Sequence, residues 1–300
     1  MLKTGRFKIV GELLVSIERG SASNSVRLLL KTFYPALHLI FMPAPRTLLY
    51  ALLFISIVGL CFADPIHQPQ TYHVYADART ILGIPYFWNV VSNLPMFFIG
   101  AYGLWQAFQN WTERPSGVAR WIPLVLSTGI FVTCFGSGYY HWIPKNGTLV
   151  WDRLPMTLMF MPLFSLIIYD YIGKRAATTT FFIALPAGIA SVLYWQVTEA
   201  AGHGDLRPYA LVQFFPMLVI IVFLLAYPAK VPYSKPLLLV LAWYVLAKVC
   251  EHYDHEIYQF SGFWSGHTLK HLCASVALVY VIQVVELSGS TSVVMRKDYD

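Results

Sequence analysis

Eight apolar stretches divide this chain of 300 residues, near 45–64, 88–109, 119–142, 152–173, 178–199, 209–228, 235–253 and 266–287. Each is long enough, or nearly so, to cross a hydrocarbon core of about 30 Å, which takes roughly 20 helical residues. No water reaches the backbone there, so each segment must satisfy its own amides. Helices do this, and the two-residue alternation of a membrane β-barrel is absent. Composition points the same way: 57% of residues are hydrophobic and 12% charged, where a soluble domain carries about 25% charged residues. The expected fold is an all-α integral membrane protein. Cys61, Cys134, Cys250 and Cys273 lie in or at the ends of apolar runs without CxxC spacing, and read as small buried residues.

The net charge of +6 does not point to a nucleic-acid partner. The basic residues lie mainly in connecting loops and the N-terminal tail, where they act as topology signals. With the N-terminus cytoplasmic, the inner segments hold the basic tail, Arg114 and Arg120, Lys174 and Arg175, Lys230 and Lys235, and Arg296 and Lys297. The outer segments hold Arg79, Lys145, Arg153 and Arg207, partly offset by Asp77, Asp152, Glu199 and Asp205. Both termini are therefore expected inside. Residues 1–43 form a basic tail, either an amphipathic surface segment or a disordered one. The first strongly apolar span starts too late for a cleaved signal peptide.

That topology brings dispersed ionisable residues to one depth. His141 closes an apolar run, while His267 and His271 open another, all near the outer face, and Asp152 begins a span at the same level. Ionisable groups inside membrane segments cost a few kcal/mol even on lenient insertion scales, so they need a reason. His267 and His271 are four apart and share a helix face. Taken singly, each histidine reads as a helix cap or a partner for a nearby carbonyl. Their convergence points instead to zinc, which favours imidazole nitrogen and in catalytic sites takes three protein ligands plus water. Ser137 lies one turn before His141, and Asp152 eleven residues after it. Zinc-activated water, a carboxylate to take its proton and a hydroxyl for the developing oxyanion are an outfit for hydrolysing an amide or ester.

These motifs resemble a known family. Gly136-Ser137-Gly138-Tyr139-Tyr140-His141, then Asp152, then Gly266-His267-Thr268-Leu269-Lys270-His271 are similar to the alkaline ceramidase branch of the CREST superfamily, which also contains the adiponectin-type receptors. Phe87-Trp88-Asn89-Val90-Val91-Ser92-Asn93 resembles the FWNxxSN opening of the ceramidases' first core helix. The resemblance covers residues 86–287. It implies a seven-transmembrane-helix bundle, here in a domain of residues 86–288. One additional N-terminal transmembrane helix and an outer loop (44–85) would precede it, and a cytoplasmic tail (289–300) would follow. It further implies zinc held by His141, His267 and His271, Asp152 as proton acceptor, Ser137 at the oxyanion, and hydrolysis of the N-acyl amide of ceramide or a related lipid. Asn93 and Arg207 are the substrate-binding candidates. The setting implied is a divergent, bacterial inner-membrane member with its site on the outer side.

One departure concerns calcium. Animal alkaline ceramidases carry an acidic calcium-binding segment before FWNxxSN. Here Tyr72 to Tyr86 offers Asp77 alone, and Tyr86 stands where the pattern has an acid. Calcium is expected not to be required.

Several polar residues keep two readings. The cluster Glu251, His252, Asp254, His255 and Glu256 is a solvated loop, a second metal site or a headgroup patch. Lys248, Glu251 and Lys270 are expected to pair within the bundle. Arg207 holds a lipid headgroup or carboxylate, or closes a loop salt bridge. Trp88, Trp142, Trp151, Trp195 and Trp264 sit near span ends, as an interfacial belt would. Two rivals to a hydrolase stand beside it. One is a seven-helix receptor with a structural zinc, which Asp152 and Ser137 argue against. The other is a retinal pigment on Lys270, which leaves the histidines unexplained.

Overall fold

The computed structural model describes residues 43–227 and 233–297, with side chains to residue 288. The basic tail to residue 42, Lys230 and residues 298–300 lie outside the described residues. Among the described residues the regular structure is helical, with one isolated bridge, Ile81 to Ile84, in the connecting segments. The helices are α1 (Pro45–Phe62), α2 (Phe87–Val91), α3 (Leu94–Gln109), α4 (Val118–Trp142), α5 (Asn146–Tyr171), α6 (Lys174–Ala200), α7 (Arg207–Ala226), α8 (Ser234–His252), α9 (Asp254–Ser261) and α10 (Gly266–Lys297). Among these, α1, α4, α5, α6, α7 and α10 are long and apolar enough to cross a membrane. The pair α8 and α9 makes a seventh if its 79° bend is counted within one span.

The stretch expected as a single helix over 88–109 is interrupted. Ser92 Oγ donates to the carbonyl of Asn89 at 3.3 Å, and Asn93 Nδ2 donates to the same oxygen at 2.8 Å. Such side chains compete with the backbone for its own partners. Pro95 then supplies a first-turn residue with no N–H to place. The restarted helix α3 has 16 residues. At the other end of the chain, α10 is continuous to Lys297, so the tail expected from residue 289 is helical for most of its length.

α5 is the hub of the bundle, packed on α4, α6 and α7, while α10 packs on α8, α3 and α4. Apolar side chains also cover the exterior: Phe98 is 63% exposed, Val197 68% and Leu225 74%. A helix that is apolar on all sides belongs in a core or a membrane. Prolines inside α4, α5, α6 and α7 fit that setting. One tryptophan departs from the interfacial belt: Trp195 is fully buried in a cluster with Leu149, Val192 and Tyr209, and Arg153 lies over its ring.

Candidate metal centre

α10 starts under two caps. Ser265 Oγ accepts the backbone N–H of Thr268 at 3.1 Å, the usual role of a serine at this position. Asp254 Oδ1 accepts the N–H of His267 at 2.7 Å, and its Oδ2 accepts that of Ala76 at 2.9 Å. A side chain at Gly266 would run into the backbone of Cys250 and Asp254, so glycine lets α10 begin against the bend between α8 and α9. Thr268 Oγ1 donates to Asn89 Oδ1 at 2.9 Å and ties this start to α2. The first two turns of α10 are thereby fixed, and they carry His267 and His271.

His141, in the last turn of α4, meets them. The three ring centroids are 4.7, 4.8 and 4.9 Å apart, and each residue is at most 3% exposed. Nε2 of His141 lies 3.3 Å from Nε2 of His267. One ring nitrogen from each residue falls within 4.8 Å of the others, close enough to hold a metal ion. No other His, Cys, Asp or Glu joins this group among the described residues. Ser92 Oγ, which donates to Asn89, lies 2.8 Å from His271 Nδ1 and so accepts its proton. This places hydrogen on Nδ1 and leaves Nε2 of His271 with a free lone pair.

A roof covers the imidazoles. The Tyr75 ring stacks 4.4 Å from His267 and 5.0 Å from His141. Its hydroxyl donates to Tyr140 at 2.6 Å, and Tyr140 donates to His73 Nδ1 at 2.8 Å. His73 Nε2 donates to Asn146 Oδ1 at 2.6 Å, and Asn146 Nδ2 to Glu199 at 2.6 Å. Burial, and then the neighbouring Tyr140, push the Tyr75 phenol far above its ordinary range, which keeps it a donor.

Below the roof lies a cavity of about 180 Å³. Its polar end holds Asn93, Ser137, Asp152 and His271. The Ser137 hydroxyl stands close to the Asp152 carboxylate. Their closeness depends on Gly136, since a side chain there would strike the Trp151 carbonyl where α4 and α5 touch. Asn93 Oδ1 is buried without a hydrogen-bond partner. Glu251 also lines the cavity, bonded to Lys248 at 2.6 Å and Lys270 at 3.0 Å, with the Tyr72 hydroxyl at 3.3 Å. The expected pairing of these charges is present. Burial and Glu251 push the Tyr72 phenol well above its ordinary range.

The structure thus gathers His141, His267 and His271, and places Asn93, Ser137 and Asp152 on the cavity that His271 lines. Arg207 is not brought there. Its guanidinium grips Asp205 at 2.9 Å and donates to the carbonyl of Ala63 at 2.8 Å, which is the loop salt bridge. Burial alone would raise the Asp205 carboxyl, but the Arg207 hydrogen bonds outweigh it and hold it below its ordinary range. The cluster at 251–256 is divided between roles. Glu251 faces the cavity and Asp254 caps α10, while His252, His255 and Glu256 are exposed. Sequence reasoning gave no role to Ser92, Tyr75 or Arg153. Two carried a signal: Ser92 lies in the motif Phe87 to Asn93, and Arg153 is a charge at the start of an apolar stretch beside Asp152. No protein-family model matches the chain, and no curated protein matches it.

Proposed function

We propose that this chain is a multi-pass membrane hydrolase, a divergent relative of the alkaline ceramidases, that cleaves the N-acyl amide of ceramide or a related lipid with zinc in the three-histidine site. In this reading α2 and α3 form one broken span and α8 with α9 another, giving seven helices after α1. The excess of basic residues in alternate loops supports both termini in the cytoplasm and the site on the outer side; the proposed setting is a bacterial inner membrane.

The observation that carries the proposal is the meeting of Asp152, Ser137 and His271 on one cavity, beside two more buried imidazoles. The donor set suits zinc: three nitrogens and no carboxylate. Two nitrogens on a tetrahedral zinc, each at 2.0–2.1 Å, stand about 3.3–3.4 Å apart, and the Nε2 atoms of His141 and His267 are 3.3 Å apart. Zinc there would supply Lewis acidity toward a carbonyl and toward water. Asp152 takes the proton of the attacking water and returns it to the amide nitrogen as the C–N bond breaks, giving a free acid and an amine. The Ser137 hydroxyl has two acceptors, the Asp152 carboxylate and the carbonyl oxygen as charge develops there. The acyl chain runs along the apolar wall of Met156, Met159, Phe160 and Leu163. A receptor with a structural metal fits less well, because a structural zinc fills its fourth position with protein.

The test is product analysis. Purified protein in detergent is incubated with ceramide and other lipid amides, with and without a zinc chelator. Release of fatty acid and amine, abolished by chelation and restored by zinc, supports the proposal. Failure to release either product from any lipid amide overturns it.

A further inference from the structure

The proposed chemistry uses Asp152 and leaves its neighbour without a task. Arg153 lines the same cavity and is only 7% exposed. Its Nη2 donates to the neutral amide of Gln68 at 2.6 Å, while Nη1 is buried with no hydrogen-bond partner. The guanidinium carbon stands 4.3 Å from the centroid of Trp195 and 5.0 Å from that of Tyr209. Two aromatic faces therefore hold the group in place. Among the described residues no carboxylate comes within ion-pair distance of it.

A buried cation without a counter-ion is strongly disfavoured, and cation–π contacts return only part of that cost. The rest of the cavity does not make up the difference. Lys248 and Lys270 share the single carboxylate of Glu251, and among the described residues Asp152 is the only other acid lining the cavity. Three cations thus face two carboxylates, one of which the reaction must protonate. The unmet charge sits on a guanidinium, whose planar fork matches a carboxylate with two parallel hydrogen bonds.

We infer that the lipid this site accepts carries an anionic head group, a carboxylate, which Arg153 neutralises, so that the substrate is an N-acyl amino acid rather than a neutral ceramide. The inference rests on the hydrolase reading of the same cavity and narrows its substrate class. The order along α5 supports it. Arg153 and Asp152 are adjacent, about 100° apart around the helix, and the apolar wall continues away from them to Leu163. A head group at Arg153 puts the amide beside Asp152 and His271, with the acyl chain toward Leu163. The carboxylate of a free fatty acid lying in the same slot would occupy the amide position instead.

The test compares N-oleoylglycine, its neutral isostere N-oleoylglycinamide, and oleate. Binding is measured on zinc-loaded Asp152→Asn protein in micelles, and amide cleavage on the otherwise native protein, each also with Arg153→Gln and Arg153→Lys. N-oleoylglycine is expected to bind at least ~10-fold tighter than the glycinamide, the scale of a hydrogen bond to a charged group. Arg153→Gln should erase that preference and Arg153→Lys should restore part of it. Equal binding of acid and glycinamide in the presence of Arg153 overturns the inference, whatever the variants do. So does an Arg153 dependence seen for oleate alone, which would assign the arginine to the product. Charge-selective binding without cleavage keeps the carboxylate-bearing ligand at Arg153 and removes the hydrolase; cleavage without charge selectivity keeps the hydrolase and overturns the inference.

Discussion

Nδ1 of His271 and the hydroxyl oxygen of Ser92 are 2.8 Å apart. The bond joins the short helix α2 to the second turn of α10 and fixes which nitrogen of His271 faces the other imidazoles. Loss of such an outer partner weakens metal binding about 10- to 100-fold. Ser92→Ala should show a loss of that size in a competition titration against a chelator, with the helical content unchanged. Unaltered affinity would mean that ring packing alone orients His271.

One metal ion per chain is expected in purified protein, measured by elemental analysis. His271→Ala should lose it, because two imidazoles remain where three converged. Protein purified without any transition metal, and unable to take up zinc, would remove the basis of the proposed chemistry.

Asp152→Asn should keep the metal and lose turnover by a factor of about 10² to 10⁴, the usual contribution of a positioned proton acceptor. Metal content and initial rate are measured on the same sample. Near-native turnover would make Asp152 a structural group held by Ser137.

Activity should be indifferent to calcium and to a calcium-selective chelator. Calcium takes six to eight oxygens, usually with several carboxylates. Asp77 is committed to Arg79, which reaches its two oxygens at 2.8 and 2.7 Å. Glu251 is held by two lysines, and Asp254 by two backbone amides. Clear activation by calcium in detergent would show that one of these pairings gives way.

Much of the architecture could be read from the sequence because membrane spans depend on composition over long windows. The ends of α4, α7 and α8 fall within a few residues of the expected stretches. The break at Ser92-Asn93 was not legible, since it arises from side-chain bonds to Asn89 that no periodicity encodes. Nor was the bend at Tyr253, where a short polar helix replaces an expected loop. The three histidines, Ser137 and Asp152 stood out as polar groups in apolar runs. The roof did not. Tyr75 and His73 lie in a connecting segment, and their partners on Tyr140 are 65 and 67 positions away. Arg153 was counted only among the outer charges that set topology, although Trp195 and Tyr209 enclose it within the bundle.

The spacing of the imidazoles along the chain also sets a schedule. His141 and His267 are 126 residues apart, and Asn89 waits 179 residues for Thr268. At 5–20 residues per second, a ribosome takes roughly 6–25 s to pass from the first histidine to the second. Throughout that interval α4 carries a lone imidazole at its end, without its two partners. Only the arrival of the helix opening at Gly266 completes the triad, so the proposed metal would have to enter after that helix is made, and a chain stalled before it would lack two of the three donors.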